Sequence, residues 1–181
     1  MVSATEVVVC DLDGTLIDSD EALADAYVAL GVPRHEITYG HVVAEECARW
    51  GVSVDDYVAA YDTTTVRPFA GVEELVAALG RWVIVSNKRP EPGRAELDRL
   101  GWRPEQAWFA DAFDGPKRLE PVLEDLGVAA ASVVFVGDTD HDRACARAVG
   151  CRFVLAGWNP RAQPVDGDLV ATHPGEVLTF L

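Results

Sequence analysis

Lysine is nearly missing from this chain. Of fifteen basic residues only Lys88 and Lys117 are lysines, and the rest are arginine. A lysine kept in such a background is a candidate for work that arginine cannot do, such as presenting a compact point charge. Positive charge is scarce altogether. Thirty acidic residues leave a net charge of −15, which argues against binding nucleic acid through its phosphates. The same acidity would repel a phosphorylated metabolite unless a metal and a few cations reverse the field locally. No apolar run approaches the roughly 20 residues that a membrane span needs. The opening residues, MVSATEVVVC, lack a basic region and carry too short an apolar run for a secretory signal. A cytoplasmic protein without a membrane partner is the expectation. The four cysteines (Cys10, Cys47, Cys145 and Cys151) are scattered and form no CxxC. They read as reduced, mostly buried small residues.

With 181 residues the chain suits one core carrying a modest insertion. Val7–Cys10 reads as a strand. From Ser19 the pattern turns helical, with Ser19 or Asp20 capping a helix that runs to Leu30. Thr38–Trp50 and Ser53–Tyr61 follow as helices, and Thr63–Pro68 reads as an extended linker. Asp18–Arg67 is therefore a small helical insertion. Strand–helix alternation resumes after Pro68. Helices are expected over Val72–Leu79, Arg94–Leu100, Leu119–Leu126, Asp142–Val149 and Pro174–Phe180. Strands are expected at Trp82–Ser86, Trp108–Phe109, Val133–Val136, Arg152–Leu155 and Asp168–Ala171. Gly157–Gly167 reads as a loop. Alternation of this kind implies an α/β fold, a mostly parallel sheet covered by helices on both faces.

Ligands of such sheets bind at the carboxyl ends of the strands. Three loops meet there: Asp11–Thr15, Ser86–Lys88 and Gly137–Asp142. In VVVCDLDGTL, residues Val7 to Leu16, an apolar β-branched run ends in two aspartates spaced by one residue. Such a pair suits a divalent cation and a phosphate, with one carboxylate attacking and the other transferring a proton. A buried strand ending in a plain Asp-Gly turn fits the same letters. Ser86 and Asn87 can donate to phosphate oxygens, or can simply make a turn. Lys117 precedes an amphipathic helix and could equally be solvated. Three aspartates in five residues, Asp138 to Asp142, form a hard-cation signal. Asp142 could instead cap the following helix, and Asp140 could be merely solvated.

At these residues the chain resembles the haloacid dehalogenase-like hydrolase superfamily. DLDGTL at Asp11–Leu16, SN at Ser86–Asn87, Lys117, and GDTDHD at Gly137–Asp142 follow the family's order. The resemblance implies a Rossmann-like core, residues 1–17 and 68–181, with a small all-helical cap at 18–67 inserted after the first strand. It implies Asp11 as a nucleophile that takes the phosphoryl group, and Asp13 as its acid/base. It implies Mg²⁺ held by Asp11, by the Asp13 carbonyl and by Asp138, with Asp142 orienting the metal shell or Lys117. Ser86, Asn87 and Lys117 would hold the phosphoryl oxygens. The substrate would be a small phosphorylated metabolite. DLDGTLIDS and the helical insertion most resemble the phosphoglycolate phosphatase-like group. The insertion is short for that group, and Lys117 is followed by Arg118 rather than proline.

Haloacid dehalogenases of the superfamily lack the second aspartate, so Asp13 favours phosphoryl chemistry. The insertion contains no lysine, which counts against a Schiff-base reaction. A phosphomutase or other phosphotransferase is the alternative, as is a catalytically weak regulatory or binding protein. Response-regulator receivers carry their phosphorylated aspartate on a later strand. In the insertion, Arg34, His35, Arg49 and Arg67 could face a substrate anion or lie on the surface. Trp50 and Tyr57 read as cap core. Lys88 could touch substrate or be solvated. His41 and His173 carry no signal beyond packing or surface, and His141 reads as a neighbour of the metal loop.

Overall fold

A computed structural model describes residues 7–181 of the chain. The opening residues 1–6, part of the expected 1–17 core segment, lie outside the described residues. Six strands form one parallel sheet: β1 (Val7–Cys10), β4 (Trp82–Val85), β5 (Ala107–Trp108), β6 (Val133–Gly137), β7 (Arg152–Ala156) and β8 (Leu169–Ala171). Their order is β5-β4-β1-β6-β7-β8, and every adjacent pair is parallel. The strands β1, β4 and β6 are buried throughout, as near-continuous apolar runs should be when helices cover both faces. This is the parallel α/β sheet that the alternation implied, in the Rossmann-like arrangement that the resemblance implied.

The period of two divides the core between the faces. Val8, Cys10, Ile84, Val134 and Val136 face one apolar cluster, which takes in Leu75 of α4 (Val72–Ala78) and Leu97 of α5 (Pro90–Leu100). Val7, Val9, Val83, Val85 and Phe135 face the other, closed by α6 (Glu120–Leu126) and α7 (Asp140–Val149). The first cluster also includes Tyr27, Val43, Cys47, Tyr57 and Tyr61 from the insertion. These lie on or just after α1 (Asp20–Ala29), α2 (Val43–Trp50) and α3 (Val54–Ala60). Tyr27, Tyr57 and Tyr61 stack in series, with ring centroids 4.7 and 5.9 Å apart.

The chain leaves for the insertion and returns from it through one short antiparallel ladder. Its strands are β2 (Ile17–Asp18) and β3 (Arg67–Pro68), with Ile17 opposite Pro68 and Asp18 opposite Arg67. The expected linker is thus part ladder and part turn, the Asp62 carboxylate accepting from the Thr64 amide at 2.9 Å. Other boundaries shift for local reasons. The second helix starts at Val43 rather than Thr38, because Gly40 sits at a φ of 83° just before it. The helix expected from Arg94 starts at Pro90, since proline costs nothing in a first turn whose amides have no partner. The last helix is a 3-10 helix over Pro174–Phe180. Ser19 precedes α1 without capping it, its hydroxyl being used elsewhere.

Gly93 of α5 lies against the buried ring of Phe109, and a Cβ there would fall well inside contact distance of that ring. Gly93→Ala should therefore lower stability by about 1–3 kcal/mol, read from the urea midpoint at unchanged slope.

Candidate active site

Strand order sets the location. After β1 the chain continues to β4 on one side, and after β6 it continues to β7 on the other. The crevice between the carboxyl ends of β1 and β6 is where such sheets bind ligands. Asp11 follows β1 and Asp138 follows β6, both buried. The Asp11 amide still donates to the Val136 carbonyl at 2.9 Å, so the ladder carries Asp11 into place. Gly14 then turns the chain at a φ of 80°, a conformation glycine adopts without strain. A Cβ there would stand 2.5 Å from Asp138 Oδ2 and 2.9 Å from Asn159 Nδ2. Glycine is needed twice, for its angle and for its missing side chain.

Carboxylate oxygens of Asp11, Asp138 and Asp142 lie within 4.8 Å of one another. Lys117 is buried among them. Its ammonium contacts Asp11 Oδ1 and stands 2.8 Å from Asp142 Oδ1. The Lys117 amide donates to Asn87 Oδ1 at 2.7 Å, and its carbonyl accepts from Cys145 Sγ at 3.3 Å. His141 Nε2 lies 3.0 Å from the same carbonyl, a contact that needs the proton on that nitrogen. His141 thus helps to seat Lys117.

Asp142 serves two ends. Its Oδ2 accepts from the Thr139 amide at 3.0 Å while the Thr139 hydroxyl accepts from the Asp142 amide at 3.2 Å, a reciprocal cap. The helix-capping reading and the Lys117-orienting reading of Asp142 both describe contacts present in the structure. Asp140 is exposed and pairs with Arg143.

Burial raises the Asp11 carboxyl well above its ordinary value. Lys117 opposes that, and the Asp142 and Asp138 charges add to it. Burial likewise raises Asp138 to about 6, with Asp142 contributing. Burial pulls the Lys117 ammonium down, but Asp11 and Asp142 outweigh it and hold it charged. One ammonium thus serves three buried carboxylates, leaving an unbalanced charge of −2 that is met either by protons or by a divalent cation.

Asp13 sits apart from this cluster. Its Oδ1 accepts from the Ser19 hydroxyl at 2.5 Å and from Lys88 Nζ at 2.7 Å. Asp11, Asp13, Ser86, Asn87, Lys88, Lys117 and Thr139 line one cleft. The insertion closes its far side with Leu23, Gly40, His41, Val43 and Tyr57, and the cleft holds about 490 Å³ of empty space including its mouth. Tyr57 is therefore both insertion core and cleft wall.

The structure decides several open readings and corrects that of His41. Lys88 is neither solvated nor a free arm of its loop: it is 6% exposed and ion-paired. His41, read only as packing or surface, lines the cleft. Arg34 pairs with Glu21 and Asp25 on the surface, and Arg49 stacks over Trp50 at 4.7 Å. Arg67 donates to the Thr64 and Val66 carbonyls, and His35 lies exposed beside Glu36. None of these four lines the cleft.

Other participants went unrecognised. Thr15 Oγ1 donates to Asp138 Oδ1 at 3.0 Å, and its place within DGTL was the available signal. The Gly157–Gly167 loop does more than connect. Asn159 Nδ2 donates to the Gly14 carbonyl at 2.8 Å and to Asp138 Oδ2 at 2.9 Å. Trp158 Nε1 donates to the Thr15 carbonyl at 2.8 Å. Arg161 pairs with Asp20 of α1 through two contacts of 2.6 Å and lies over the Tyr39 ring. The sequence offers no spacing that marks these three.

Known proteins resemble the chain over this whole architecture. A phosphoglycolate phosphatase of Xanthomonas campestris pv. campestris (strain 8004) is 29% identical, covering 85% of this chain and 84% of its own. A haloacid dehalogenase-like family protein of Streptococcus pneumoniae superposes with a TM-score of 0.74 at 21% identity, covering 99% of each chain. An L-2-haloacid dehalogenase superposes with a TM-score of 0.66 at 15% identity, covering 98% of each, so the fold alone does not choose between the two chemistries. The family described as haloacid dehalogenase-like hydrolase matches residues 8–156. By that match, with the aspartates of its DLDGTL and GDTDHD segments meeting at one crevice, the chain belongs to the haloacid dehalogenase-like hydrolase family.

Proposed function

We propose that the chain is a Mg²⁺-dependent phosphatase that hydrolyses a small phosphorylated metabolite through an aspartyl-phosphate on Asp11. The observation that carries this reading is the shared cleft of Asp11, Asp13, Ser86 and Lys117, with Asp138 and Asp142 clustered beside Asp11. A carboxylate attacking a phosphate dianion meets like-charge repulsion. Lys117 offsets part of it at the attacking oxygen.

The donor set fits a hard divalent cation. The buried donors are oxygens, Mg²⁺ takes few protein ligands, and the charge deficit is two. Asp11, the Asp13 carbonyl and Asp138 would hold it. When bound, the cation supplies positive charge to the phosphoryl oxygens and to the entering carboxylate. Thr15 and Asn159 occupy one oxygen each of Asp138 and fix its orientation, as partners around metal ligands commonly do.

The chain's own groups carry the steps. An Asp11 carboxylate oxygen forms a bond to phosphorus as the ester P–O bond breaks. Asp13 gives a proton to the leaving oxygen and later takes one from the water that attacks phosphorus. That attack breaks the acyl-phosphate P–O bond and frees Asp11 and inorganic phosphate. Ser86 and Lys117 bind the transferring oxygens. Asn87 spends its carbonyl oxygen on the Lys117 amide, so it contributes to the phosphate through its amide nitrogen and by placing Lys117.

Residues 18–67 act as the cap of the core formed by 1–17 and 68–181, covering the cleft and excluding water from the first step. Their wall is mainly apolar, and of its lining residues only His41 can carry positive charge. That supports a phosphatase over a phosphomutase, whose second phosphate or sugar would need basic partners there. The Xanthomonas relative makes phosphoglycolate the first compound to test. A cytoplasmic setting suits the four free cysteines. No helix among the described residues is long and apolar enough to cross a membrane.

Asp11→Asn should abolish turnover of p-nitrophenyl phosphate and of a phosphometabolite panel with Mg²⁺, while circular dichroism shows the protein still folded. Turnover near wild type in that variant overturns the mechanism.

The buried charge makes a second, independent expectation. Asp11, Asp138 and Glu96 all have carboxyls raised by burial, Asp138 to about 6 and Glu96 to about 7. Above about pH 4 the unfolded chain has released protons that these native groups still hold, so stability falls as pH rises toward about 7. Metal-free protein should therefore melt lower at pH 7.5 than at pH 5, and Mg²⁺ should raise the melting temperature more at pH 7.5 than at pH 5. Equal shifts at both pH values, or none, count against a cation in the carboxylate cluster.

A further inference from the structure

Lys88 has contacts that the proposed chemistry does not require. Its ammonium donates to Asp13 Oδ1 and to the Tyr61 hydroxyl, both at 2.7 Å, and stands 3.1 Å from Glu96 Oε2. The Tyr61 hydroxyl in turn donates to Glu96 Oε1 at 2.9 Å. Lys88, Tyr61 and Glu96 therefore close a ring of polar contacts, with Asp13 attached at Lys88. Glu96 is fully buried on α5, and Tyr61 follows α3 of the insertion.

Two hydrogen-bond acceptors and a third, anionic neighbour around one nitrogen suit a compact ammonium better than a planar guanidinium. The scarcity of lysine in this chain gains a reason at this position. Burying a carboxylate and an ammonium between a helix and the loop before it is expensive unless the pair does something that apolar side chains could not. Here it reaches one atom of the functional cleft. Ser19 and Lys88 both donate to Asp13 Oδ1, whereas Asp13 Oδ2 makes no hydrogen bond to any described residue.

We propose that Lys88 is a positioning residue for Asp13: with Ser19 it pins Oδ1, so that Oδ2 is the oxygen that exchanges the proton with leaving group and water. This rests on the reading of Asp13 as the acid/base. Glu96 holds the ammonium and shares its charge, so the assembly acts on Asp13 as fixed hydrogen-bond donors rather than as a bare cation. Tyr61 brings the insertion into the same assembly, so seating α3 completes the support of Asp13. An acid that must meet a leaving oxygen within hydrogen-bond reach gains from such fixing, because small misplacements are costly in rate.

The test uses ring-substituted phenyl phosphates, whose leaving groups differ while the phosphate end stays constant. It reads kcat/KM, which covers steps through formation of the phosphoenzyme. An enzyme with a well-placed acid is insensitive to the leaving group, and one without it favours p-nitrophenyl phosphate. Asp13→Asn should raise the p-nitrophenyl to phenyl ratio by about tenfold or more. Lys88→Met should raise it in the same direction by at least about fivefold, and Tyr61→Phe by a smaller factor. A structural role would lower both substrates equally and leave the ratio at the wild-type value. Should Lys88→Met alone fail to fold, the double variant Lys88→Met/Glu96→Gln removes the stranded charge, and its ratio is read instead. A raised ratio in Asp13→Asn with a wild-type ratio in the Lys88 variants overturns this proposal and leaves the role of Asp13 standing. A wild-type ratio in Asp13→Asn overturns both.

Discussion

Negative charge packed where water cannot reach it is the constraint on which this structure turns. Three buried carboxylates share a single buried ammonium, Lys117, at the carboxyl ends of β1 and β6. Almost every nearby polar contact manages that excess. Thr15 and Asn159 donate to Asp138, the Thr139 amide and hydroxyl donate to Asp142, and Asn87, Cys145 and His141 fix the backbone of Lys117. The helices and strands supply rigid points from which these short side chains can reach. The unbalanced charge suits this cluster of buried carboxylates to a divalent cation.

The two aspartates of DLDG live in different electrostatic surroundings two residues apart. Asp11 belongs wholly to the core and is surrounded by the charges of Lys117, Asp138 and Asp142. Asp13 lies at the cleft edge and is held by Ser19 and Lys88. On the proposed mechanism, separate environments let one carboxylate attack phosphorus while its neighbour handles protons. The turn at Gly14 brings about this separation, by sending the chain away from the sheet just after Asp13.

Much of this was legible in the letters because local pattern determined it. β-Branched runs marked β1, β4 and β6, and the aspartates sat directly after two of them, so strand ends and site coincided. Glycines 51, 101, 127 and 150 marked helix ends, each in the left-handed conformation. Local reading failed where a distant partner decided the outcome. Ser19 looked like a helix cap, but Asp13 claims its hydroxyl. Lys88 could be read as touching substrate or as solvated, and only the fold shows Glu96 on the following helix and Tyr61 in the insertion burying it. Trp158, Asn159 and Arg161 looked like loop composition, and only the fold brings them back against Thr15, Asp138 and Asp20. The Trp158–Thr15 and Arg161–Asp20 pairings span more than a hundred residues, and such separations leave no spacing to read.

The ladder of β2 and β3 has a consequence for how such a molecule can change. The insertion departs at Ile17–Asp18 and comes back at Arg67–Pro68, with its two ends hydrogen-bonded side by side. The ends are already joined whatever lies between them, so added or removed length alters loop closure only logarithmically and leaves the sheet untouched. The chemistry of Asp11 and the shape of the chamber above it can thus be inherited separately. A lineage that kept the crevice together with Ser19 and Tyr61, and exchanged the rest of that segment, would acquire new substrates without rebuilding its catalyst.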